Sequence, residues 1–325
     1  MADVRAGSDR GGGRASDAAW PHHIPVRHWG RILRRVVRHV LNDRLMLLSA
    51  GISFFALLSI APMLVTAVSV YGAVTTPAEA LEQLSGVART LPPELEPLVA
   101  EQLTTITAAS TEVHTVRGIT GLVLALWTAT TAATYLVDAL TLAYHETETR
   151  GFLRRSGLGL VFVLGGALLV GGVIAVAELL SDALDRAPGA LRALGPAFTW
   201  LALATLMTTV LAVLYRFAPD RRQARWRWTS AGAATATLLW LATSGALFGY
   251  VQSLGSYEST YGSLAGVAIS MLWLWISVFL VIFGAAVNAE AERQTLRDST
   301  VGPDRPMGER GAVVADSTPP HRGDG

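Results

Sequence analysis

Six long apolar stretches alternate with polar segments along this chain of 325 residues. They lie at about residues 45–74, 118–143, 158–179, 197–215, 229–251 and 264–287, and each reaches or approaches the ~20 residues that cross a bilayer as an α-helix. Before the first, Trp29, Ile32, Leu33, Val36, Val37, Val40 and Leu41 recur at helical spacing, with Arg27, Arg31, Arg34, Arg35 and Arg38 on the other side. That pattern predicts a basic amphipathic helix lying in the membrane interface, arginines on anionic headgroups. The competing reading is a helix docked on its own protein. Between the first two spans, residues 75–117 carry two short amphipathic stretches broken at Pro92 and Pro93, which predict an extracytoplasmic helical hairpin. Residues 1–26 and 297–325 are rich in Gly, Asp, Ser or Pro and read as disordered cytoplasmic tails around a membrane domain over 27–296. The expected fold is therefore all-α: a polytopic protein of six transmembrane helices, an interfacial helix and an outer hairpin.

Charge orients this arrangement. All 26 basic residues are arginine, and 22 of them fall in alternate segments counted from the N-terminus. The positive-inside rule then places both termini and those segments in the cytoplasm. The polar lead lacks a short cleavable apolar core, so the first span is expected to act as its own uncleaved signal. Charged residues make up 16% of the chain, against roughly a quarter in soluble domains. With a net charge of +1, nothing argues for a nucleic-acid partner. The absence of cysteine removes disulfides, thiolate catalysis and cysteine-based zinc sites.

Chemistry is concentrated on the second span. Trp127, Thr131, Thr134, Asp138, Thr141 and His145 are spaced 4, 3, 4, 3 and 4 and share one helix face. Lipid has no use for such a row, so it is expected to face the bundle interior or a wet cavity. Asp138, an ionisable group inside a span, is a candidate for a polar path or for an interhelical ion pair, with Arg44 and Arg216 as partners. Asn288 and Glu290 close the sixth span at the same end and are candidates to face it. Ser59, Pro62, Thr66 and Ser69 form a smaller polar face on the first span. Ala167, Gly171 and Ala175 on the third span, and Gly245 and Gly249 on the fifth, offer small-residue faces for close packing. The seven histidines form no metal-binding pattern, and neither a nucleophile elbow nor a phosphate loop appears. No metal, no cofactor and no enzymatic activity are expected.

Three blocks carry a family resemblance: Ser53–Leu64, Leu126–Arg155 and, most extensively, Tyr250–Arg293. They resemble the YihY/virulence factor BrkB family over about residues 30–295. Thr141 departs from the asparagine common in that family, and Trp275 from tyrosine. The resemblance implies a bacterial inner-membrane protein with about six spans and cytoplasmic termini. Some members carry an old ribonuclease label, which no metal-site pattern in this sequence supports. Two functions stay open: transport or exchange of a solute or lipid through a polar-lined bundle, or a membrane scaffold without a path. The expected partners are membrane lipids and a second copy of the chain.

Overall fold

The computed structural model describes residues 20–74, 111–185, 189–253 and 263–319. Helix α1 spans Val26–Asn42. The six long helices are α2 (Leu45–Val74), α3 (Thr111–Ala143), α4 (Phe152–Asp185), α5 (Gly189–Phe217), α6 (Trp226–Ser253) and α7 (Ser263–Glu292); a single turn, α8, covers Val313–Asp316. All six long helices are apolar and long enough to cross a membrane, so the protein is an all-α polytopic membrane protein. Helix α2 runs through Pro62 without interruption. The side chains of Thr66 and Ser69 lie outside the described residues, as does segment 75–110, which carries most of the expected hairpin. Thr111–Arg117 belongs to the continuous α3.

The bundle is built from two sets of three. Helix α3 packs closely on α2 and on α4, while α6 packs on α5 and α7. The sets meet where α7 lies on α2 and, less extensively, on α3; α4 and α5 barely touch. Among the described glycines, the closest approach to a neighbouring helix lies between α6 and α7. A Cβ on Gly232 would collide with the Gly284 carbonyl and with the Asn288 side chain, and one on Gly284 would stand 2.5 Å from the Tyr215 hydroxyl. By contrast Gly171, Gly245 and Gly249, expected at close contacts, have open space where a Cβ would project. Spacing alone cannot distinguish a glycine facing a partner helix from one facing lipid.

Among the described residues, those that are buried gather at the arginine-rich end of the bundle. Ile32, Val36 and Val40 of α1 join Leu45, Leu140, Tyr144, Tyr215, Trp228 and Ile282 in one apolar cluster there. Among the described residues, the long helices show many apolar side chains outward, as a lipid-facing surface requires.

The segment after residue 297, expected to be disordered, is instead ordered to Pro319 and packed against this end. The buried Arg310 guanidinium donates to the carbonyls of Leu296, Arg297, Arg305 and Ala315. The Asp316 carboxylate accepts from the backbone N–H groups of Gly308, Arg310 and Gly311. Glycine, proline and aspartate here build a compact loop around two charged side chains. Gly302, Gly308 and Gly311 take positive φ values that other residues resist. Val313 N–H then donates to Glu146, and Thr300 bridges to Ala224, so the loop spans the ends of several helices.

Candidate functional site

Among the described residues, polar contacts between the two three-helix sets are concentrated at the arginine-rich end. Glu290, in the last turn of α7, is their centre. Its carboxylate accepts from Arg35 Nε of α1 at 2.5 Å, from Arg293 Nη1 at 3.1 Å, and pairs with His145 Nε2 at 3.1 Å. His145 follows the end of α3 with φ 59°, a left-handed conformation usually filled by glycine at this position of a helix end. Glu146 N–H reaches back to the Thr141 carbonyl, closing the helix in the Schellman manner. A glycine would close it with less strain but would supply no imidazole for Glu290. The His145 ring stacks 4.0 Å from that of His39, tilted by 31°. His39 pairs with Asp43 through Nδ1 and lies 3.3 Å from the Ala143 carbonyl through Nε2. Both of those neighbours are acceptors and favour imidazolium. Burial and the neighbouring His145 outweigh them and lower the His39 pKa from 6.5.

A second cluster joins the loops. Arg150 clamps Glu148 through two contacts of 2.7 and 2.8 Å and donates to the Ala218 carbonyl at the end of α5. Thr149 donates through its N–H and its hydroxyl to Asp220, whose own N–H is received by Thr141 Oγ1 at 3.3 Å. Burial raises both Glu148 and Asp220, but hydrogen bonds from Arg150 and Thr149, respectively, more than reverse it, and both carboxyls sit below their usual pKa.

Deeper in the same end, Arg221 and Glu292 form a bidentate pair at 2.6 and 3.1 Å with side chains 2% and 0% exposed. Ser299 donates to Glu292, and the Arg221 guanidinium lies 4.9 Å from the centre of the Tyr144 ring. Burial would lower Arg221, yet the charge and hydrogen bonds of Glu292 raise it. Asn288 bridges the glycine crossing, accepting from Gly232 N–H at 2.6 Å and donating to the Thr229 carbonyl.

The residues singled out on the second span divide. Thr141, Asn288 and Glu290 come together at this end. Asp138 pairs with Arg155 of α4 at 3.2 Å, both side chains a little over a quarter exposed (28% and 27%). Its partner is thus neither Arg44 nor Arg216; the latter donates to the Ala224 carbonyl and stacks on Trp226. Thr131 and Thr134 return their hydroxyls to carbonyls of their own helix, Trp127 and Thr130. Thr134 also marks a close crossing, since a Cβ on Gly159 of α4 would lie 2.7 Å from its hydroxyl. Trp127, at the far end of the row, is 62% exposed. The row therefore does not line one interior face along its whole length.

Of the arginines on α1, Arg35 turns inward to Glu290, whereas Arg27, Arg31, Arg34 and Arg38 are exposed. Sequence reasoning gave no functional role to Arg150, Arg221, Asp220 or Glu292. Their signal was present as acidic residues set among arginines at helix ends. Among the described residues, no three histidine or carboxylate side chains are placed to share a metal ion.

The fold and this end together define a polytopic helical membrane protein whose polar side chains form an inter-helix ion-pair network. The chain belongs to the virulence factor BrkB family, whose model matches residues 36–307. Among curated relatives, a UPF0761 membrane protein of Nitrosospira multiformis is 26% identical over 289 residues, covering 84% of this chain and 63% of its own. A Bacillus subtilis protein, YfkH, named as ribonuclease-like, is 29% identical over 176 residues, 52% of this chain and 63% of its own. A UPF0761 membrane protein of Idiomarina loihiensis is 22% identical over 159 residues, 49% of this chain and 56% of its own. The chain thus spans less than two thirds of these relatives' lengths. No solved structure matches it.

Proposed function

We propose that this protein is an inner-membrane carrier or exchanger of a lipid or other amphiphilic solute, with the arginine-rich end in the cytoplasm and closed in this conformation. One observation carries the reading: among the described residues, the polar contacts that join the two three-helix sets crowd one end, while α4 and α5 barely meet. Glu290 with His145, Thr149 with Asp220 and Arg150 with Ala218 cross between the sets, and Glu146 with Val313 ties the first set to the C-terminal loop. Polar contacts that hold two helical sets together at one end are what an alternating-access gate requires. Helix α5 also presents an open, mostly apolar face of Phe198, Leu201, Ala202, Thr205, Leu206 and Thr209, which suits an amphiphile better than a hydrophilic solute.

The alternative is a membrane scaffold without a path. It is favoured by Asp138 being ion-paired and by Thr131 and Thr134 bonding to their own helix. A membrane ribonuclease reading takes its support from the name of the Bacillus relative. It lacks a grouped set of candidate metal ligands among the described residues.

The chain has no native cysteine, so a gate can be locked selectively. Thr149→Cys with Asp220→Cys, joined by a short bifunctional thiol reagent, holds the two sets together at the proposed gate. In proteoliposomes carrying a fluorescent phospholipid, protein-dependent exchange between leaflets is expected to stop on cross-linking and to persist in the singly substituted controls. Exchange that is absent from the intact protein, or indifferent to the lock, would favour the scaffold.

A further inference from the structure

Helix α1 has three faces, and the bundle uses one. Ile32, Val36, Val40 and His39 are buried against α7 and the start of α2, and Arg35 beside them reaches Glu290. At 3.6 residues per turn, Leu33, Val37 and Leu41 follow in a wedge roughly 100° to 180° round from Ile32. All three are exposed, Leu41 to 62%, and Val26 falls in the same wedge at 87%. Arg27, Arg31, Arg34 and Arg38 occupy the next wedge and are exposed as well. Among the described residues no carboxylate pairs with Arg31, Arg34 or Arg38. A turn of two residues, with Arg44 at φ 56°, separates the helix from the first membrane span, so α1 cannot lie far from the bilayer surface.

The geometry points to the unused two thirds of α1 as a binding surface for an anionic bilayer. Val26, Leu33, Val37 and Leu41 enter the acyl boundary, and Arg31, Arg34 and Arg38 contact acidic headgroups. The docked face is what separates this from an ordinary amphipathic helix. Its best apolar ridge is committed to the protein, so the membrane ridge is a second one, and the helix meets lipid without leaving the bundle. Charge complementarity selects the occupant. An apolar ridge bordered by Arg31, Arg34 and Arg38, on a helix that ends two residues before a span, matches a phosphatidylglycerol-bearing surface; a protein partner would need acidic groups held in the membrane plane. Arg35, counted with the other arginines from sequence alone, lies outside this surface.

The test uses the full-length protein in nanodiscs of phosphatidylcholine alone or mixed with phosphatidylglycerol. A nitroxide is attached at Val37→Cys, with Asp304→Cys, which is 78% exposed in the C-terminal loop, as the aqueous reference. With phosphatidylglycerol present, the Val37 label is expected to be relaxed by oxygen and shielded from a water-soluble nickel chelate, and the Asp304 label to show the reverse. Each arginine near an anionic surface contributes about fivefold in partitioning, so Arg31, Arg34 and Arg38 together contribute roughly a hundredfold. Replacing those three by glutamine is expected to return the label to water while the thermal midpoint, set by the docked face, stays unchanged. A Val37 label as open to the chelate as Asp304 in both lipids would overturn the proposal. So would a label shielded from oxygen and chelate alike, which would mean that protein covers the ridge.

Discussion

Substituting Arg221 by methionine removes one half of the most deeply buried ion pair described in the protein. Glu292 is then left with the Ser299 hydroxyl as its remaining side-chain donor, in a position with no exposure. Breaking a buried pair from one side costs about 3–5 kcal/mol, because the surviving charge has lost both its partner and its water. Glu292→Leu alone should cost somewhat less, since Arg221 keeps the Arg222 carbonyl and the Tyr144 ring. The double substitution restores an apolar contact of similar volume and should cost within about 1 kcal/mol of the wild type, as replacing both members of a buried pair often does. The coupling from the double-mutant cycle is therefore expected to exceed about 3 kcal/mol. Denaturant titration in mixed micelles, followed by fluorescence, measures all four proteins. A double variant as unstable as the two singles added together would refute the reasoning. It would show that each side chain acts through separate contacts.

Gly232→Ala should destabilise by at least ~1–3 kcal/mol in the same titration, because the new methyl meets the Gly284 backbone and Asn288. Gly245→Ala, facing open space, should be neutral or stabilising by up to ~1 kcal/mol. For His39 the folded pKa is lowered from 6.5, so the unfolded chain binds the proton more readily. Docking of α1 should be fully stable above pH 6.5 and weaken as pH falls below it; the groups facing His39 are His145 and Glu290 on the packed elements and Asp43 in the turn after α1. Amide exchange in α1 should accelerate in acid, and His39→Gln should flatten that response. Arg310→Ala should leave four carbonyls without their donor and expose residues 297–316 to limited proteolysis while the membrane domain stays folded.

The six spans and the start of the amphipathic helix were legible because long apolar runs and a 3.6-residue period report the solvent around each helix. Thr141, Asn288 and Glu290 were also legible as polar residues at span ends. Their partners were not. Glu290 meets Arg35 across 255 residues and His145 across 145, and local periodicity carries no information on which ends meet. The inward turn of Arg35 escaped because it stands at the edge of the docked wedge, one helical step from arginines that face solvent. The tail escaped for a different reason. Its composition matches disordered chains, but order comes from Arg310 and Asp316 binding backbone groups, which hydrophobicity does not register.

The placement of α1 gives the two proposals a common joint. The helix is covalently attached to the first three-helix set through the turn before α2, yet it packs chiefly on α7 of the second. Glu290 on α7 receives Arg35 from that helix and His145 from the end of α3 in one carboxylate. Any motion that separates the sets at this end must break His145 from Glu290, drag Arg35 out of place, or bend the turn at Asp43–Arg44. The last two would shift the apolar and arginine wedges against the bilayer surface. An anionic surface gripping those wedges would resist the motion, and by linkage a change in the gate would alter the grip by the same free energy. Phosphatidylglycerol content should therefore change the rate of exchange in wild-type proteoliposomes and lose that effect when Arg31, Arg34 and Arg38 are glutamine. An equal rate in both lipids for the wild type would separate the surface from the gate.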